Sequence, residues 1–436
     1  MQTLGVTTSY CRFLANATKT LASSLRASFT IYSIVLAVSC CTFGQTLTTI
    51  HDFGSGQDGE NPQSGVIFDR NGNLLGSAAL GGSTGDGVVY RLTPASDGVS
   101  WNETILHQFA GRPDGASPDS ILTMSPNGQL FGTTQIGGTK NMGTAFVVIP
   151  RAAPADAAKE RVLYNFGSIS KDGSSPNMGL LSGSNGLFGV TSAGGANGRG
   201  TVFHLAPSPN PADPWTETIL YNFAGPDGAF PSSELIMDSK GHLYGTTLTG
   251  GANDVGTVYQ LTPPSQSGGA WTESVLFSFS GPDGSSPFGR LLLDGDGLIY
   301  GTTSGGGASR SLAGTVFRLT APEQPGDSWN HTVLYSFSGG RDGGSPEAGV
   351  IIDNQGRLVG TASTGGSGGP DFGGVVFILT PPTEDGGSWT ETVLQSFGGP
   401  NGFRPLCRLV SRKGALYGTT SAGGQHGTGT IFVLTP

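Results

Sequence analysis

Acidic residues recur in this chain at one kind of place, ahead of a glycine. The pairs begin at Asp58, Asp114, Asp172, Asp227, Asp283 and Asp342, and Asn401-Gly402 continues the series. Six carboxylates and an amide on one face could hold Ca²⁺ or a polyhydroxy ligand, because both take oxygen donors. The plainer account is a tight turn, in which Asp accepts from its own backbone and Gly supplies a positive φ. No single copy has the multi-ligand spacing of a calcium loop, so turn chemistry is preferred. The seven residues remain the candidate ligand-binding set. Asp294-Gly-Asp296-Gly297 also looks like the start of a calcium loop. Its equivalents, Ser125-Pro-Asn-Gly128 and Ser411-Arg-Lys-Gly414, lack the acids, so it reads as a hairpin turn.

Other reactive residue types are scattered. Trp101, Trp215, Trp271, Trp329 and Trp389 share one register and could stack on sugar rings, but a fixed register points to packing. His51 and His107 stand where other copies have Tyr or Phe. His204, His242, His331 and His426 fall at unrelated positions, and none of the six has a His, Cys or carboxylate at ligand spacing along the chain. Gly-Gly loops such as Thr249-Gly-Gly-Ala-Asn253 do not precede helices, so they are not phosphate cradles. No nucleophile elbow, zincin helix or haem-attachment motif occurs. No catalytic residue and no metal site is assigned. No cofactor is expected, with Ca²⁺ the one ion considered.

The elements that carry these residues repeat. The Gly of the Leu-Tyr-Gly-Thr-Thr segment falls at Gly76, Gly132, Gly189, Gly245, Gly301, Gly360 and Gly418. The Gly opening Gly-Thr-Val-Phe falls at Gly87, Gly143, Gly200, Gly256, Gly314, Gly374 and Gly429. With the turn series, three markers each count seven copies, spaced by about 57 residues. Each copy holds four strand signals, labelled A to D. Strand A is a short apolar run such as Leu291-Leu-Leu293, which suits a strand covered on both faces. Strand B ends in Gly-Thr-Thr, strand C is Thr-Val-Phe-x-Leu-Thr, and strand D carries aromatics two apart on one face. Four antiparallel strands per copy predict an all-β, seven-bladed β-propeller, with a parallel β-helix as the rival. The repeats begin with a strand D at Thr46–Phe53 and end with a strand C at Thr430–Thr435, so the N-terminal strand is expected to complete the last blade and close the ring. The D–A turns and the Gly-rich B–C loops are expected to share one face.

Tyr244-Gly-Thr-Thr-Leu-Thr-Gly-Gly251 with Gly256-Thr-Val-Tyr-Gln-Leu-Thr-Pro263 resembles the GloVer tandem repeat of exported bacterial proteins, and the likeness runs over residues 46–436. It implies an exported protein and assigns no biochemical role. Members often carry a C-terminal surface anchor, whereas this sequence stops at Pro436, directly after a strand. The order of apolar-Tyr, Gly-Gly, Val-aromatic and Trp in 243–271 is similar in kind to kelch-type propellers, and the strand labels follow that analogy.

Composition limits the function classes. Gly is 74 of 436 residues and charged residues make up 12%. Residues 1–44 hold no Asp or Glu, three basic residues (Arg12, Lys19, Arg26) and an apolar run over 29–38. They read as a signal segment, with 45–436 as a single propeller. Soluble export is preferred to lipid attachment at Cys40 or Cys41. The remaining chain has 31 acids against 19 Lys and Arg, with Cys407 its one cysteine, expected as a buried apolar residue in a strand. This acidic balance disfavours nucleic acid and anionic membranes as partners. A monomer without a membrane span is expected, secreted, periplasmic or at the cell surface. The leading reading is a binding module for a glycan, peptide or protein. The alternatives are a polysaccharide hydrolase or lyase at the axial mouth, and a structural surface-layer component.

Overall fold

The computed structural model describes residues 45–436 apart from 55, 151–157, 211, 267, 325, 368–372 and 385. The signal segment read at 1–44, with Cys40 and Cys41, lies outside the described residues. Among these residues the secondary structure is all strand, save one 3₁₀ turn at Gly399–Asn401. Among the described residues no helix is long and apolar enough to cross a membrane.

Seven antiparallel sheets follow one another, each ordered A-B-C-D. In blade 1 the strands are Ile67–Phe68, Leu74–Ala78, Val88–Pro94 and Trp101–Gln108. Blade 7 takes Val410–Arg412, Ala415–Thr420 and Thr430–Thr435 from the C-terminal end and Thr46–Asp52 from the N-terminal end. Thr46 pairs with Thr435 and Asp52 with Thr430, so the ring closes through backbone hydrogen bonds as the strand order predicts.

In five blades the A–B turn is closed by the side chain of its first residue, Asp or Ser. Asp294 Oδ1 accepts from the Asp296 and Leu298 amides, both at 2.9 Å, and Asp238 and Asp353 do the same in their blades. This is hairpin chemistry.

Strand A departs from expectation. Its ladder is two residues long in several blades. Val350 is buried, but Ile352 is 42% exposed and Met237 39% exposed. The innermost strand has a covered face only where a neighbouring blade reaches it, so its side chains alternate instead of being enclosed on both sides.

Strand D carries a β-bulge in all seven blades. In blade 1, Tyr90 pairs with Ile105 while Val89 pairs with His107, leaving Leu106 as the extra residue. The others shift at the same point. A one-residue insertion moves all later side chains to the other face. Glu103 therefore faces the preceding blade and His107 the following one.

The core lies between blades. Phe53, Phe109, Phe166, Phe223, Phe279 and Phe337 from strand D are fully buried against strand C aromatics of the next blade, for example Phe53 on Tyr90 at 5.2 Å. Two glycine series follow from this packing. A Cβ on Gly132 would lie 2.6 Å from the Phe146 ring. A Cβ on Gly143, at φ +96°, would lie 2.5 Å from Pro176 of the next blade. The five Trp are partly buried against the aromatic layers, as with Trp215 on Phe131 at 5.9 Å, in keeping with packing.

Candidate functional site

The D–A turns and B–C loops do share one face, and they are laddered together in every blade. Gly59 pairs with Gly81, Gly115 with Gly137 and Gly173 with Gly194, and the other four blades make the corresponding bridges. Two layers of this face carry polar groups that the repeat alone does not require. One lies in the seams between blades and the other on the axis.

The seams hold the turn acids. In five seams the turn Asp meets the strand D residue two before the buried Phe, and lies by a Glu from strand D of the next blade. Asp172 accepts from Tyr164 Oη at 2.8 Å and from the Gly167 and Ser168 amides, while Tyr164 Oη also lies 3.2 Å from Glu217. Asp227 accepts from Tyr221 at 2.6 Å and Asp342 from Tyr335 at 3.0 Å. Asp283 is held by Ser280. Asp58 accepts from the Gly54 and Gly59 amides, and Asp114 from the Ala110 amide. Asn401 closes the 3₁₀ turn. All seven candidate residues are thus on the expected face, and the six carboxylates accept hydrogen bonds from their own turns or seam neighbours.

Two seams differ from the sequence reading of the histidines. His107 Nε2 stands 3.1 Å from Asp114, and His51 Nε2 stands 3.5 Å from both Asp58 and Glu103. The expectation that no His meets a carboxylate at ligand spacing is corrected for these two, and for His242 beside Asp238. Chain spacing hid the pairs because the D–A turn folds Asp58 back over His51, and Glu103 arrives only with the next blade. Reading the copies column by column would have shown them, since five copies set a His or Tyr slot with a turn Asp and a next-blade Glu. His242 bonds Asp238 at 2.7 Å, and His331 stacks on Phe277 at 4.1 Å.

Burial sets the electrostatics of the seams. Glu103, Glu160, Glu273 and Glu391 are pushed up to about 7 by burial, and Glu217 to about 8 by burial and by Asp172. Burial works against a charged His51, but its contact with Asp58 and the nearby Glu103 outweigh that and raise it. Burial raises Asp58, and the His51 contact and the Gly54 amide more than reverse it.

The axial layer is built from the segment between each turn and strand A. Each begins with a residue at φ of 50–58° followed by Pro: Asn61, Ser117, Ser175, Phe230, Ser286, Ser345 and Arg404. Such φ is uncommon outside Gly, and the amide of each residue is tied to the preceding blade, as Ser175 N is to the Met142 carbonyl at 2.9 Å. The three residues after the Pro in six blades, and Glu234 in blade 4, line a cavity of about 310 Å³, which all seven blades therefore enclose about the axis.

Here the copies disagree. The third residue after Pro runs Gly65, Ile121, Gly179, Glu234, Arg290, Gly349, Arg408 around the ring. Large and small alternate, and the small ones are needed: a Cβ on Gly349 would lie 2.0 Å from the Arg290 carbonyl. A ring of seven cannot alternate strictly. The one place where two large side chains adjoin holds opposite charges, Arg290 Nε 3.8 Å from Glu234. Asp119 is pushed up to about 6 by burial, and its Oδ1, Asn177 Oδ1 and Arg408 Nε are buried without a hydrogen-bond partner. Burial also raises Glu347, partly offset by Ser363 and Arg404. Cys407 is buried as expected, but it sits in this axial segment ahead of strand A, where its sulfur accepts from the Thr419 amide at 3.0 Å.

Solved propellers share the architecture. The extracellular domain of a proposed one component system, BT4673 from B. thetaiotaomicron, is 14% identical, with TM-score 0.51 over 89% of this chain and 42% of that one. A proposed 6-phosphogluconolactonase from Bacteroides uniformis ATCC 8492 is 13% identical, with TM-score 0.48 over 79% of this chain and 88% of that one. At such identity the likeness concerns the fold. No curated protein matches the sequence. Residues 30–186, 151–369 and 273–436 each match the Gloeobacter/Verrucomicrobia repeat, and together these stretches take in both the turn series and the axial segments. The chain belongs to the Gloeobacter/Verrucomicrobia repeat family.

Proposed function

We propose that the protein is an exported binding module whose ligand, a polar group of a glycan or peptide, enters the axial cavity on the face of the D–A and B–C loops. One observation carries this reading. The lining of that cavity is where seven otherwise similar copies diverge, and it presents Asp119, Asn177 and Arg408 with buried polar atoms that no protein group satisfies. Buried polar atoms without partners are costly, and a ligand rich in hydroxyl, amide or carboxylate groups would supply them. The cavity volume suits one sugar ring or one or two amino-acid residues. The basic, acid-free segment at 1–44 and the extracellular source of the BT4673 domain support export.

A screen of glycans, cell-wall fragments and peptides against the purified protein tests this. Binding that falls at least tenfold in both Asp119→Asn and Arg408→Ala supports the axial site. Uniform failure of the screen, or binding indifferent to both changes, overturns it.

A second reading rests on Asp119. Held up to about 6 by burial and lining the axial cavity, it could act as a general acid on a polysaccharide. Release of new chain ends from a polysaccharide panel, lost in Asp119→Asn, is the expected result for a hydrolase or lyase.

A further inference from the structure

We propose that the first two seams of the ring, His51–Asp58–Glu103 and His107–Asp114–Glu160, each bind a divalent transition ion of the zinc type. In each triad one imidazole nitrogen and two carboxylate oxygens lie within 4.8 Å of one another. Zinc bonds of about 2.0–2.2 Å set ligand atoms about 3.3 Å apart in a tetrahedron, with water free to take the fourth place. His51 Nε2 is 3.5 Å from both acids, and His107 Nε2 is 3.1 Å from Asp114. Small side-chain adjustments close these triangles. One nitrogen and few oxygens favour such an ion over Ca²⁺, which asks for six to eight oxygens.

Three further observations point to an ion. His51 Nε2, Glu103 Oε1, Asp114 Oδ1 and Glu160 Oε1 are buried atoms without a hydrogen-bond partner; the carboxylate oxygens have orphaned counterparts in sibling seams, at Asp172, Glu217, Glu273 and Glu391, whereas of the two triads the first alone holds an orphaned imidazole nitrogen. The Gly54 and Gly59 amides orient Asp58, and the Ala110 amide orients Asp114, as outer groups orient metal-bound carboxylates. The sibling seams show what fills the space otherwise. Where Tyr164 replaces His, its hydroxyl reaches both Asp172 and Glu217 and bridges the acids itself. An imidazole is shorter and leaves that bridging position open between the same two acids. The fully buried Tyr90 hydroxyl, close enough to feel the charges of Glu103 and Asp58, is placed to accept or donate to a metal-bound water in the first seam. In the second, Arg161 acts on Glu160 and competes with a cation, so the first site is the tighter.

The ion in the first seam would join the N-terminal strand, through His51, to strand D of blade 1, through Glu103. It would therefore hold to blade 1 the strand whose other edge pairs with Thr430–Thr435.

The substitutions His51→Tyr and His107→Tyr place in these seams the residue that sibling seams already hold, so both variants should fold. Calorimetric titration of the full chain, stripped with EDTA and then exchanged into chelator-free buffer, is expected to show two Zn²⁺ per chain. His51→Tyr should lose the tighter and the double variant both, while melting with Zn²⁺ rises only where a site remains. Co²⁺ should give visible d–d absorption that each substitution halves. Absence of Zn²⁺ and Co²⁺ binding overturns the proposal. So does binding that persists in the double variant, which would place the ions at His242–Asp238 or the exposed His426.

Discussion

Thr134 and Thr144 face each other across strands B and C with hydroxyls 2.8 Å apart, and Thr191–Thr201, Thr247–Thr257, Thr303–Thr315 and Thr420–Thr430 repeat the contact. In the first and sixth blades the pair becomes Ala78 with Val88 and Ala362 with Val375, so both partners turn apolar together. A buried hydroxyl that loses its partner costs about 1–3 kcal/mol, whereas replacing both by apolar groups can be nearly neutral. Thr134 Oγ1 also donates to the Ile136 carbonyl and accepts from the Thr144 amide, so it is Thr134→Ala that leaves the Thr144 hydroxyl without a partner. Thr134→Ala alone is therefore expected to destabilise by about 1–3 kcal/mol, and adding Thr144→Val to recover part of it, with a coupling of at least about 0.5 kcal/mol in chemical denaturation. The seam glutamates belong to the same scale. Burial raises Glu217 to about 8, above its ordinary 4.5, so the folded state holds its proton more tightly than the unfolded chain. Stability from this group is full below about 4.5 and is lost as pH rises through about 8. Melting temperature in EDTA should fall from pH 5 to 8.5, and Glu217→Gln should flatten that fall. These pairs were legible in the sequence only as columns. Thr-Thr and Ala-Val read as strand residues one by one, and their contact exists because strands B and C pair in register.

Strand D is the element that does most to connect blades. Its period and aromatic spacing were plain in the sequence. Its bulge was not, because Ile105 and Leu106 are both apolar, and two adjacent apolar residues read equally well as an ordinary strand covered on both sides. Yet the bulge is what sends Glu103 backward and His107 forward, and so creates the seam triads. Strand A was misjudged for a related reason. An apolar run such as Val350-Ile-Ile352 does not say which neighbour covers each side chain, and Ile352 has none. The N-terminal strand is the sharpest test at this scale. Phe53 is fully buried in the seam with blade 1, and truncating a buried Phe to Ala costs about 3–5 kcal/mol. Deleting residues 46–53 removes that side chain and the whole ladder to Thr430–Thr435, so the truncated protein should melt far lower than Phe53→Ala, as read by thermal denaturation. An unchanged melting temperature would refute the closure role.

At the scale of the molecule, seven copies of one unit make a ring whose shared residues serve packing and whose divergent residues gather on the axis. The ring and its closure could be read from the order of strand signals, because backbone pairing needs only local pattern and count. The axial site could not. Gly65, Ile121 and Arg290 are unrelated as residue types, and only the circular order of blades shows that large and small alternate and that Glu234 meets Arg290 at the odd place. The turn acids attracted attention first because they repeat. Their regularity reflects a duty common to all seven units, while Asp119 is the one Asp in its column and the arginine at 408 recurs only at Arg290.

The pairing of Thr46–Asp52 with Thr430–Thr435 also sets an order in time. The strand synthesised first finds its partner last. At roughly 5–20 residues per second, the intervening chain takes roughly 20 to 80 seconds to make. Throughout that interval six blades can be present while the seventh cannot, and the ring stays open with a free strand at its leading end. Until Thr430–Thr435 emerges, Thr46–Asp52 has no edge to pair with, so the seam that it shares with blade 1 is completed before the ring is.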